Sequence, residues 1–376
     1  MVRNPFTPTF GKTPPILAGR DQMVEDWAYA IDQGVGAPGR ATLLTGARGV
    51  GKTVLLNVLE DEARGRGWVV ISESTSPGLM DRLTDSELPR ALRSLDPRGQ
   101  LTRKITGITL PTWLGGGGVQ TSVAADYNVQ WDARMMFEAI GTIQAGKGAG
   151  LLITVDEIHR SAEDDLRRLT MIVQHMFREE LPVAFVGAGL PSSIKALLRK
   201  DTPITFLRRA VQVSLTSVRD AQASRALAIP ARDAGVPFDA DALRAAAAAS
   251  QGYPFLIQQI GYECIRVVTR DRAESITTGH VELAVSRALA TMHTQVHETA
   301  LAGLSEVDRT FLDTLARADG PMRTGAIAEQ MGVTTKYAGV YRRRLIDAEI
   351  IAPAGYGEVD FELPYLREYL REQADD

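Results

Sequence analysis

The stretch that most constrains this chain is ATLLTGARGVGKTVLLNVLEDEARGRG, residues 41–67. A short apolar run at 41–45 enters Gly46-Ala47-Arg48-Gly49-Val50-Gly51-Lys52-Thr53-Val54, and an amphipathic pattern over 52–64 follows. The spacing is G-x-x-x-x-G-K-[ST] between a strand and a helix. Its glycines let successive backbone N–H groups curl around phosphate oxygens. The helix that starts near Lys52 points the positive end of its dipole at the same anion. Lys52 can reach β- and γ-phosphates, and the Thr53 hydroxyl can ligate Mg²⁺. A strand–loop–helix of this kind predicts a nucleotide site.

Such a site needs an acidic element on a second buried strand. GLLITVDEIHR, residues 150–160, supplies one: an apolar run that ends in Asp156 and Glu157. A carboxylate at the strand end can hold Mg²⁺ through its water shell, which is the role expected of Asp156. Glu157 beside it can polarise an attacking water as general base. His159 reads as a surface helix start. Further β-branched runs at 68–74, 183–189 and 211–215 bring the strands to five. They alternate with helical patterns at 52–64, 131–145, 162–178 and 190–199, which predicts a parallel sheet. Between the second and third strands, 76–126 does not fit this alternation. Its stretch ITGITLPTWLGGGGVQTSV alternates weakly and has Gly115–Gly118 at its centre, and the segment reads as a β-hairpin or a mobile loop.

A chain of 376 residues leaves room for two or three domains. A net charge of -4 excludes a molecule that is polybasic throughout. One cysteine, Cys264, excludes an internal disulfide or a multi-cysteine metal site and fits a reducing cytoplasm. No apolar run approaches the roughly 20 residues that span a bilayer. The first residues, MVRNPFTPTFGKTPP, lack the apolar core of a signal peptide. Their prolines predict an extended arm laid over the first domain.

At this point the chain resembles a known group. ILAGRDQMVEDW, ahead of the phosphate loop, looks like the box that precedes it in initiator-type AAA+ ATPases (the origin-recognition kind) and in the related STAND and archaeal-type ATPases. The P-loop, the Asp156-Glu157 pair, FVGAGLPS and a helical lid follow in the same order, over roughly 16–376. The resemblance implies an α/β fold: a five-stranded parallel P-loop core of the ASCE/AAA+ kind, a helical lid and a C-terminal winged helix-turn-helix. It implies ATP and Mg²⁺ as cofactors, and it puts Leu17, Ala18 and Arg20 near the adenine.

The chain departs from the ring-forming members in three places. Gly252-Tyr253-Pro254 starts a lid helix where many carry Gly-x-Arg, as in the Gly-x-Pro of STAND ATPases. Proline suits the first helical turn and can approach the nucleotide, but it brings no charge that senses a γ-phosphate. Phe255, Ile257, Ile260 and Ile265 would pack this helix into the lid. The fourth strand ends Gly187-Ala188-Gly189, without a polar sensor, for which Ser192 or Ser193 could substitute. Arg208 and Arg209 stand before the fifth strand, where related ATPases carry an arginine finger. They read equally as a basic pair capping a helix C-terminus. Together these departures point to slow hydrolysis and a switch rather than a motor.

The expected domains are 1–216 (core with arm), 217–298 (lid) and 299–376 (winged helix). In the last, Ser305 caps a first helix, Gly332 closes a second, Thr334 or Thr335 caps a third, and a two-stranded wing and a final helix follow. The third helix would read the major groove of double-stranded DNA, with Lys336, Tyr337, Tyr341, Arg342, Arg343 and Arg344 as candidate contacts. Against this, residues 301–376 hold nine Lys/Arg and fourteen Asp/Glu, a net of -5. The same unit reads also as a protein-packing module. The sequence therefore predicts a cytoplasmic ATPase switch that acts on DNA and assembles with itself on ATP. The alternatives are a signalling ATPase that answers to a protein partner, and a nucleotide-binding scaffold with negligible turnover.

Overall fold

A computed structural model describes residues 3–9, 11–96, 132–158, 163–198 and 206–375. The Gly-rich stretch around Gly115–Gly118, and His159, lie outside the described residues. Five parallel strands form the central sheet: β1 (Ala41–Thr45), β2 (Val69–Ser74), β3 (Leu151–Ile158), β4 (Val183–Gly189) and β5 (Val211–Ser214). Their spatial order is β2-β3-β4-β1-β5. The inner strands carry apolar residues on both faces, as a sheet covered on both sides requires.

On one face lie α1 (Asp21–Gln33), α2 (Lys52–Gly65) and the lid. The other face is covered by α3 (Leu79–Arg82), α4 (Leu88–Leu95), α5 (Ala133–Ala145), α6 (Glu163–Arg178) and α7 (Pro191–Leu197). Residues 79–95 correct one expectation. They are helical, running from α3 through a π-helical turn at Leu83–Glu87 into α4, and not hairpin or loop. Leu79, Met80, Leu83, Leu88 and Leu92 are buried along them at helical spacing.

The segment expected as the lid holds α8 (Asp220–Asp233), α9 (Ala240–Ala249), α10 (Pro254–Asp271) and α11 (Thr278–Met292). It shares one continuous core with the sheet: Leu44, Val186 and Leu55 belong to the same cluster as Leu227, Leu256 and Ile260. The arm also departs from expectation. Instead of lying over the core alone it binds the lid, with Phe6 buried to 2% exposure against Gly261 of α10. Asn4 Nδ2 donates to Tyr262 O (3.0 Å), and Thr7 N donates to Gln258 Oε1 (3.2 Å). Further along, Gly11 O accepts from Asn57 Nδ2 of α2 (2.5 Å). The arm therefore bridges lid and core.

The lid does not end in a loop. From α11 the backbone stays helical through a π-helical turn at His293–His297 into α12 (Glu298–Leu301). Then come α13 (Glu306–Ala316), β6 (Met322–Arg323), α14 (Thr324–Gln330), α15 (Thr335–Asp347), β7 (Ile351–Gly355), β8 (Glu358–Phe361) and α16 (Leu366–Asp375). Ser305 and Thr334 cap α13 and α15 by accepting from the N–H three residues on. The three strands pair antiparallel in the order β6-β8-β7. This C-terminal unit has its own apolar core, which includes Phe311, Leu345, Val359 and Leu366. Among the described residues, no helix is long and apolar enough to cross a membrane.

Candidate functional site

A cavity of about 670 Å³ opens where the phosphate loop, the arm and the lid meet. Its floor is Arg48–Val54, at the C-terminal end of β1. Brought to its wall are Leu17, Ala18, Arg20, Asp156, Glu157 and Pro254, all expected there. Of the remaining loop residues, Ala47 packs into the core, and Gly46 carries a backbone oxygen that anchors Lys52.

Inside the loop, Lys52 Nζ donates to Gly46 O (2.5 Å) and Ala47 O (2.8 Å). Burial holds its ammonium below the usual lysine range, opposed by the charges of Glu349 and Asp156. Thr53 Oγ1 donates to Asp156 Oδ2 (2.6 Å). This hydroxyl–carboxylate pair, at the mouth of a phosphate loop, is a hard oxygen donor set that suits Mg²⁺. Asp156 is itself fixed, since its Oδ1 accepts from Glu157 N (2.8 Å) and its backbone oxygen accepts from Thr75 N (2.9 Å).

Glu157 owes its place to a bulge. Between Val155 and Ile158, two residues of β3, Asp156 and Glu157, stand opposite one residue of β4, Ala188. Glu157 takes up the extra length with φ +54 and presents an exposed side chain to the cavity. The bulge also explains the missing polar sensor. Ile158 folds over the end of β4, so a Cβ at Gly187 would meet Ile158 Cδ1 at 2.7 Å, and one at Gly189 would meet Ile158 O at 2.9 Å. There is no room for Asn or Thr there. Of the two substitutes, Ser193 lines the cavity, whereas Ser192 Oγ donates to Asp347 O of the C-terminal unit (2.6 Å).

The lid meets the site at Gly252-Tyr253-Pro254. Gly252 has φ +64 and lies directly against the backbone of Val218, whose N–H donates to Gly252 O (2.7 Å). No side chain fits at that position. Pro254 is the first residue of α10 and faces the cavity. Tyr253, which the sequence reading passed over, is buried and donates its hydroxyl to Arg48 O in the phosphate loop. Burial pushes its phenol above the usual tyrosine range, so it stays a neutral donor. Arg20 is buried as well and donates to Thr216 O (2.5 Å), tying the box before the phosphate loop to the entry of the lid.

The helical connector between lid and C-terminal unit also reaches the site. Gln295, Val296 and Thr299 line the cavity, and Arg48 Nη1 donates to Thr299 O (3.5 Å). No local sequence pattern marks these residues.

Arg208 and Arg209 are not in this cavity. They close a 3-10 turn at the N-terminal end of β5, about 13 Å of strand away from the end that bears the phosphate loop. Arg208 Nε donates to Leu198 O, which closes α7 (3.2 Å), and Arg209 is exposed.

The six candidate DNA contacts lie on α15 but do not share one face. Lys336, Tyr337 and Arg343 are exposed, and Tyr337 OH and Tyr341 OH are 3.1 Å apart. Arg342 is half-buried, and its Nε is buried without a hydrogen-bond partner. Arg344 is exposed too, yet its guanidinium pairs with the buried Asp308 of α13 (3.1 Å). The C-terminal end of α15 points at the core, where Ser192 holds Asp347.

Comparison with known proteins agrees with this geometry. Residues 16–186 match the AAA ATPase domain, and residues 294–370 match a domain of unknown function, DUF8462. Among solved structures, the ORC2 protein of Aeropyrum pernix (ADPNP–ADP complexes) is similar with a TM-score of 0.63 at 16% identity, over 98% of this chain and 97% of that one. The Walker-type ATPase PABY2304 of Pyrococcus abyssi also scores 0.63, at 15% identity, over 94% and 96%. No curated protein matches the chain. Residues 16–186 thus match an AAA ATPase domain, and the chain shares the α/β P-loop fold of these two solved structures.

Proposed function

We propose that this protein is an ATP-driven switch: it binds Mg-ATP between core and lid, hydrolyses it slowly, and uses its nucleotide state to reposition a C-terminal winged helix on DNA. The observation that carries this reading is the connector. One helical segment, 278–301, forms the last part of the lid, lines the cavity with Gln295, Val296 and Thr299, and leads into the C-terminal unit.

Bound Mg²⁺ would neutralise phosphate charge, with Thr53 and Asp156 as its protein ligands. Lys52 turns from Gly46 O and Ala47 O to the phosphates. Glu157 orients and deprotonates the attacking water. With no polar side chain at the end of β4, that water is held less firmly, which supports slow turnover. Tyr253 and Thr299 both touch Arg48, so a phosphate loop that tightens on its ligand draws lid and connector with it. Arg209, remote from its own cavity, would act on a neighbouring subunit in an ATP-dependent assembly.

For DNA, the supporting surface is the exposed start of α15, with Lys336, Tyr337 and Arg343, together with the fully exposed Tyr356 at the turn between β7 and β8. A second reading is a signalling switch whose winged helix packs on protein. It draws support from Arg344, engaged with Asp308, and from the seating of the unit on core and lid. Fluorescence anisotropy on a DNA duplex, with ADP and with a non-hydrolysable ATP analogue across a salt series, separates the two. The DNA reading expects nucleotide-dependent affinity that falls with salt and is lost when Lys336 and Arg343 become alanine. Absence of binding in both nucleotide states at low salt would leave the protein-partner reading.

A further inference from the structure

Glu349 follows α15, at the point where the C-terminal unit meets the core. It has φ +58, a conformation glycine would adopt without strain, yet the position carries a long acidic side chain. The side chain is only 7% exposed, and both of its carboxylate oxygens are buried without a hydrogen-bond partner. A carboxylate in that state is costly unless opposite charge compensates it. The charges that act on it are those of Lys52 and Arg48 of the phosphate loop, and Glu362 of its own unit. Burial above all raises its carboxyl to about 7, and the two cations oppose that rise.

The contacts around it hold it in place. Two residues earlier, Asp347 O accepts from Ser192 Oγ of α7 (2.6 Å), and on the other side Tyr365 OH donates to Ala249 O of the lid (2.8 Å). A loop built to receive an anion thus has an acidic side chain of its own chain beside it, while Lys52 spends its hydrogen bonds on its own loop.

We propose that Glu349 is an internal competitor for the phosphate loop: its carboxylate, brought in by the docked C-terminal unit, and the phosphates of a nucleotide oppose each other, so that nucleotide binding drives Glu349 out and loosens the docking. This rests on the nucleotide-site reading and adds the direction of the coupling. A pyrophosphate chain brings several negative charges to the same cations, and the buried Glu349 has no other partner to retain it.

The test is equilibrium titration of the full chain with a fluorescent (mant) ADP, comparing wild type with Glu349→Gln and Glu349→Ala. Both substitutions remove the charge, and the first keeps the side-chain volume. The proposal expects both to tighten binding, by tenfold or more. It also expects hydrogen exchange of residues 345–352 to rise in wild type when ADP is added, and to be raised already in the nucleotide-free variants. Equal or weaker affinity in both variants would overturn the competitor role and leave the nucleotide site standing. If neither wild type nor variants bind, the site reading fails and this inference fails with it.

Discussion

The hydroxyl of Tyr253, the residue that leads into lid helix α10, donates to the backbone oxygen of Arg48 in the phosphate loop. One hydrogen bond thus links the closing element to the loop that would sense phosphate. Tyr253→Phe removes it and leaves Arg48 O without this donor, at a cost of about 1 kcal/mol. Nucleotide should dissociate several-fold faster while the thermal midpoint changes little. Stopped-flow displacement of a fluorescent nucleotide measures this.

Gly252 precedes it with φ +64 and no space for a Cβ beside Val218. Gly252→Ala should therefore destabilise the fold by at least about 2 kcal/mol, since a strained φ adds to a backbone clash. Urea denaturation reads the loss directly.

Glu157 faces the cavity from the bulge in β3. As general base it contributes roughly 100- to 10,000-fold to hydrolysis. Glu157→Gln should retain ATP with near-native affinity and lose turnover on that scale. Turnover that matches wild type would take the role away from it.

His297 sits in the connector, fully buried, with Nε2–H donating to Pro364 O (2.9 Å) and Nδ1 without a partner. Burial depresses its pKa from 6.5 to about 4. Below 6.5 the unfolded chain takes up a proton that the folded chain refuses until about 4. The stability contribution is therefore complete above 6.5 and is lost as pH falls toward 4, up to about 3 kcal/mol. His297→Phe should flatten the fall of the thermal midpoint across that window.

Much of this was legible from residues alone, and the reason is local. The phosphate loop, the apolar strands and the caps Ser305 and Thr334 are patterns within a few residues, and each stands where its pattern put it. Residues 79–95 escaped because a π-helical turn breaks their periodicity and the glycines further on dominate the reading. Other features depend on contacts no short window contains. Tyr253 meets Arg48, Phe6 meets Gly261 and Ser192 meets Asp347 across well over a hundred residues. Glu349 is an ordinary acid after a helix until the fold buries it within reach of the charge of Lys52.

The central claim is that nucleotide moves the C-terminal unit relative to the core. The most direct measurement is a pulsed electron–electron distance between spin labels at Tyr29→Cys on α1 and Tyr356→Cys at the β7–β8 turn. Both positions are exposed, at 66% and 102%, and the native Cys264 is buried. The account predicts one narrow distance without nucleotide, and a shifted or broadened one with ADP or a non-hydrolysable ATP analogue. An identical distribution in all three states, with nucleotide bound, would contradict it.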